Sequence, residues 1–122
     1  MSLVGAVDDS GDIVLRLRVR GPLGAFEVRS IVDTGFNGAV SLDRESIQTL
    51  GLRARAEVRY RLADGTYAES RVFDAEMERF GSWERVAAVE ARGGCLVGMQ
   101  ALYGHRLVVE AVSGGLVEIS AL

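Results

Sequence analysis

An all-β domain with one or two short helices is what this sequence predicts, on three observations. Apolar residues recur with period two along most of the chain. Gly-containing turn signals separate the alternating runs. Only residues 43–51 clearly combine the spacing and the caps of a helix.

The elements follow in order. Residues 3–7 and 12–20 flank Asp8-Asp9-Ser10-Gly11 and predict a hairpin. In the second run Ile13, Leu15, Leu17 and Val19 share one face and Arg16, Arg18 and Arg20 the other, a half-buried strand with a solvated Arg face. Gly21-Pro22-Leu23-Gly24 turns the chain into a strand from 25 to about 33, most apolar at Ile31 and Val32. Gly35 and Gly38 bracket a loop before a short extended run over 39–42. Asp43 as N-cap, Glu45 in the first turn, Ile47 and Leu50 three apart and Gly51 at C′ predict one to two turns of helix. Strands over 56–62 and 67–80 surround Ala63-Asp64-Gly65-Thr66, where Asp-Gly signals a tight hairpin. Gly81-Ser82 leads into a strand over 84–91, and Gly93-Gly94 precedes the apolar Cys95-Leu96-Val97. A helical turn over 99–103 and a last hairpin, 106–112 and 116–119 about Ser113-Gly114-Gly115, complete about nine short strands in one domain, 1–122.

Composition narrows the chemistry. A chain of 122 residues buries roughly two thirds of its surface, enough for one core without disulfide or metal. With 14 basic and 17 acidic residues the net charge is −3, so no nucleic-acid partner is expected. Every basic residue is Arg, which removes Schiff-base and P-loop lysine mechanisms. One Cys (Cys95) and one His (His105) cannot build a Cys/His zinc site, and no metal or cofactor is expected. Cys95 in its apolar run reads as a buried, inert thiol, and His105 as a turn or cap residue. No apolar run reaches the roughly 18 residues of a membrane span, so no membrane partner is expected. Asp8 and Asp9 argue against a signal peptide, and the expectation is a cytoplasmic protein.

Carboxylates remain, and Asp33 stands out. It ends an apolar strand, where burying an acid is costly unless donors meet it. Thr34 brings a hydroxyl, and Gly35 lets backbone amides approach. A strand-ending Asp that merely closes a turn is the plain alternative.

Val32-Asp33-Thr34-Gly35 resembles the active-site loop of retropepsin-like aspartic proteases. Leu96-Val97-Gly98 followed by Met99-Gln100-Ala101-Leu102 resembles that family's second signature, an apolar-apolar-Gly segment entering a short helix behind the loop. Ala63, Asp64, Gly65 and Thr66 fall where the family has its flap hairpin, and 107–109 and 115–119 resemble its closing strands. Asp-Thr-Gly-Phe-Asn-Gly looks like the small single-domain prokaryotic members of clan AA. The resemblance implies a closed barrel or sandwich of short strands with a flap, and an aspartic endopeptidase. Two carboxylates around one water serve as base and acid, and such a pair cannot both ionise. With one Asp-Thr-Gly per chain, the second carboxylate comes from a homodimer with Asp33 of each copy at the axis. By the same analogy Thr34 reaches across the axis and Gly35 amides bond the carboxylates. Residues 3–7 and 119–122, apolar at both ends of the chain, suit an intersubunit sheet or an ordinary core strand. Asn37 and the flap residues Ala63, Asp64, Gly65 and Thr66 would meet a peptide bound in extended form.

Three departures bear on specificity. Phe36 stands where the family often has a small or hydroxyl residue. Asn37 and Met99 stand where retroviral members carry an acid and its Arg partner. Two other readings stay open: a catalytically silent peptide-binding dimer of the same fold, and an unrelated small β-barrel with a chance Asp-Thr-Gly.

Overall fold

The computed structural model describes residues 2–122, with Ser2 and Tyr60 described by backbone alone. Its strands are β1 (Ser2–Val7), β2 (Ile13–Gly21), β3 (Gly24–Val32), β4 (Val40–Leu42), β5 (Arg53–Arg61), β6 (Tyr67–Arg79), β7 (Ser82–Glu90), β8 (Cys95–Val97), β9 (His105–Val109) and β10 (Leu116–Ala121). Helix α1 (Arg44–Leu50) follows β4, and α2 (Met99–Leu102) follows β8.

Six strands form a closed ring. The hydrogen-bonded order is β6–β7–β4–β8–β3–β2, and β2 returns to β6 through Val19↔Met77 and Arg20↔Glu76. The period-two pattern of β2 explains the closure. Leu15, Leu17 and Val19 are buried with Val40, Leu42, Phe73, Ala75, Met77 and Val97, and a ring covers that face without leaving an edge inside it. The outward arginines pair with neighbouring strands: Arg16 with Glu27 (3.5 Å), Arg18 with Glu78 (3.1 Å) and Arg20 with Glu76 (2.9 Å). Such exposed pairs stabilise by at most about 1 kcal/mol each.

The sequence suggests about nine short strands; the described residues form ten, and the run expected over 67–80 is β6, 13 residues long. β6 serves two partners in succession, β5 up to Asp74 and β7 from Val72 onward. A single strand thus runs from the tip of the β5–β6 hairpin into the barrel. The terminal segments find each other within one chain. β1 pairs β10 antiparallel from Ser2↔Ser120 to Ala6↔Leu116, and β10 pairs β9 on its other edge. No helix among the described residues is long and apolar enough to cross a membrane.

Helix α1 forms as its caps predict. Asp43 is extended (φ −77°, ψ 166°) and its carboxylate accepts from the Ser46 amide at 2.8 Å, while Gly51 ends the helix at φ 64°. Ile47 and Leu50 point into the core. The Ser46 hydroxyl and then its amide hold the Asp43 carboxyl below its ordinary value of 3.8. A carboxyl lowered on folding adds stability above about pH 3.8 that is lost as pH falls towards the folded value. Asp43→Ala is therefore expected to cost about 1 kcal/mol at pH 7, a few degrees of Tm. The gap from wild type should narrow in thermal melts below pH 3.8. An equal gap at both pH values would mean that the charged cap is not what was lost.

Candidate active site

β3 delivers Asp33 into a loop that α2 holds from behind. β3 runs parallel to β8 (Ser30↔Cys95 to Val32↔Val97), and the Asp33 amide continues that ladder by donating to the Val97 carbonyl at 2.9 Å. The chain then turns. The Phe36 amide donates to the Asp33 carbonyl (3.1 Å), and the Gly35 amide donates to the Asp33 carboxylate (2.9 Å). Asp33 is half-buried, and Thr34, Gly35 and Asn37 are exposed. The bond expected from Gly35 is present. The Thr34 hydroxyl makes no hydrogen bond among the described residues, and it is free to reach outward.

The return limb of the loop hangs on the start of α2. Gly98 donates to the Ala39 carbonyl (2.9 Å), Met99 to Phe36 (2.8 Å) and Gln100 to Gly38 (3.2 Å). The first amides of a helix have no partner inside it, and here the loop carbonyls supply them. The approach is close enough to require glycine. A Cβ on Gly98 would meet the carbonyl oxygens of both Phe36 and Gly38, and a Cβ on Gly38 would lie 2.6 Å from the Phe36 ring. Phe36, in place of the expected small or hydroxyl residue, thus folds its ring over two glycines and brings no donor to Asp33. Met99, read from the sequence as standing where retroviral members carry an Arg, is exposed.

Ala63, Asp64, Gly65 and Thr66 form the tip of the β5–β6 hairpin, as their spacing predicts. Leu62 donates to the Thr66 carbonyl (2.7 Å) and Gly65 to Leu62 (3.0 Å), with Gly65 at φ 87°. The Asp64 carboxylate accepts from the Thr66 hydroxyl (2.6 Å) and amide (2.9 Å), and these two bonds hold its carboxyl below the usual range. Asp64 is thereby committed to its own turn. No hydrogen bond or ion pair joins this tip to the Asp33 loop among the described residues. The pairings Glu57↔Arg71 and Arg59↔Glu69 put charged residues on the hairpin face that continues into buried Phe73, Ala75 and Met77. An open cleft of about 940 Å³ lies there, between Glu57, Glu69 and Arg71, the start of α1, and the turn at Glu90. It includes neither Asp33 nor Asn37.

The remaining candidates behave as structural residues. Cys95 is buried in β8; burial, and then the Asp43 charge, push its thiol up to about 12, so no thiolate nucleophile is available. His105 opens β9 with its ring stacked on Phe80 (4.2 Å between centroids) and Nδ1 3.0 Å from the Tyr103 carbonyl. Asp74 is engaged by Arg55. Sequence reasoning missed Arg79, the last residue of β6. Its guanidinium donates to the Ala101 carbonyl of α2 and pairs with Glu84 at 2.7 Å, with only 18% of the side chain exposed. Nothing in an alternating, Arg-rich strand distinguishes it beforehand.

No protein-family model matches the sequence, and no curated protein matches it either. Among solved structures the chain is similar to the crystal structure of a retropepsin-like aspartic protease from Rickettsia conorii, with a TM-score of 0.61 and 15% identity. The match covers 99% of this chain and 90% of that one. The protein therefore has a retropepsin-like fold: a closed six-stranded barrel with added strands.

Proposed function

We propose that this protein is an aspartic endopeptidase whose site is completed by a second copy of the chain, Asp33 meeting Asp33 across a two-fold axis. One observation carries the reading. Asp33-Thr34-Gly35 forms a turn at the end of β3 in a retropepsin-like fold, with its carboxylate held by the Gly35 amide. The other aspartates are placed otherwise: Asp43 caps α1, Asp64 closes the hairpin tip, Asp74 faces Arg55, Asp8 and Asp9 bond Arg29 and Ser113, and Asp12 lies in the turn between β1 and β2. One chain thus offers one such carboxylate, and general acid–base hydrolysis by this route needs two.

In the proposed reaction the ionised carboxylate takes a proton from the shared water as its oxygen bonds to the scissile carbonyl carbon. The protonated partner gives its proton to the carbonyl oxygen. The resulting diol then collapses. The C–N bond breaks, the leaving nitrogen takes the proton first abstracted, and a diol hydroxyl returns a proton to the other carboxylate. The substrate lies extended between Asn37 and the flap tip, Ala63 to Thr66, where backbone groups bond it as an added strand. Because β1 and β10 are already paired, the proposed intersubunit sheet continues from β9, which has no second partner among the described residues.

Specific activity on an unstructured protein is expected to fall on dilution through the dimer Kd, and the rate to peak on the acidic side of neutral. Full activity in a verified monomer, or a rate climbing steadily to about pH 9, would overturn the reading. The second reading, a silent peptide-binding dimer, is favoured by Phe36, which gives Asp33 no side-chain donor. It predicts saturable peptide binding with no cleavage in the same assay.

A further inference from the structure

We propose that Arg79 is a positioning residue for the Asp33 loop, acting through α2. This rests on the peptidase reading of that loop. α2 is a single turn with four residues and no side-chain N-cap, so its own hydrogen bonds hold it weakly. It is fixed instead from both ends. At its start, the Met99 and Gln100 amides bond the Phe36 and Gly38 carbonyls of the loop. At its end, the Ala101 carbonyl lacks a helical donor and accepts from an Arg79 Nη atom. The other Nη pairs with Glu84 of β7, which anchors the guanidinium to the barrel.

The cost of placing Arg79 there points to a role. A largely buried cation is unfavourable unless its donors are satisfied, yet Nε is buried without a partner. The preceding strand pattern puts Arg at solvated positions elsewhere, and an apolar residue at 79 would pack against Leu102 and Phe80 without that penalty. What an apolar residue lacks is a planar fork that bonds a helix carbonyl and a barrel carboxylate together. Because β6 is also one strand of the β5–β6 hairpin, Arg79 ties the base of that hairpin to α2 behind the loop.

Two readouts on Arg79→Met and Arg79→Lys test the proposal, with Glu84→Gln as a comparison. Met keeps the stem and removes the fork; Lys keeps the charge but cannot span both acceptors. In both Arg79 variants the Met99 and Gln100 amides are expected to exchange with solvent about tenfold faster or more, with barrel amides such as Val19 and Val40 unchanged. On a peptide that wild type cleaves, kcat should fall about tenfold with KM within about threefold. Glu84→Gln, whose amide oxygen still accepts from the guanidinium so that both anchors remain, should lose less than about threefold in either. Unchanged exchange at Met99 and Gln100 overturns the proposal, as does faster exchange with unaltered kcat. If wild type cleaves nothing, the peptidase reading falls, and the exchange arm still decides whether Arg79 holds the loop. Should Arg79→Met fail to fold, Arg79→Lys carries both readouts.

Discussion

Asp33→Asn is expected to leave the fold intact and to abolish peptide cleavage, a loss on the order of a thousandfold or more. Folding should survive because Asp33 is only half-buried and its side chain accepts one backbone bond, from Gly35, which an Asn carbonyl oxygen also accepts. The stability change should stay within about 1 kcal/mol. Activity should not survive, since an amide neither takes nor gives the catalytic proton, and in a two-fold dimer one substitution alters both members of the pair. Mixing sharpens the test. If subunits exchange freely, an equal mixture holds about one quarter wild-type dimers, so the activity per wild-type chain falls to about half. Cleavage by Asp33→Asn at the wild-type rate would remove Asp33 from the mechanism. Undiminished activity per wild-type chain, with exchange verified, would remove the shared site.

The parts of the fold that were legible in the sequence are those governed by neighbours a few residues apart. The burial alternation of β2, both caps of α1 and the Asp-Gly turn between β5 and β6 each depend on local backbone chemistry, and each stands where the pattern puts it. Asp33 was visible because an acid after Ile31-Val32 conflicts with local burial, and such conflicts mark sites. Less legible were features set by long-range closure. β4 and β8 are three residues each, and their parallel pairings with β7 and β3 leave no periodic trace. The length of β6 was legible as the run over 67–80, but its double use, by β5 and then β7, was not. The terminal segments fitted an intersubunit sheet or a core strand equally well, and the structure pairs them with each other. Arg79 looks like every other strand arginine until α2 is brought against it.

Gly98→Ala is the second large effect expected, and it acts on packing rather than on protons. Gly98 is buried at φ −109°, a conformation open to any residue, so backbone strain is not the reason for glycine. The reason is approach. The added Cβ would meet the carbonyl oxygens of Phe36 and Gly38, and the Phe36 ring at 2.6 Å. The carbonyls are backbone and cannot swing aside as a flexible side chain does. Relief requires α2 to lift off the loop, which weakens the bonds from Gly98, Met99 and Gln100 together. Overpacking with loss of these bonds is expected to cost about 3 kcal/mol and to lower Tm by on the order of 10 °C. Gly93→Ala is the contrast. Its φ of 90° strains an L-residue, yet nothing lies within 4 Å of the new Cβ, so about 1 kcal/mol is expected. Paired urea and thermal denaturation of the two variants separates steric from conformational demand. A Gly98→Ala protein as stable as wild type would mean that α2 and the Asp33 loop do not approach this closely, and the support assigned to that loop would fall with it.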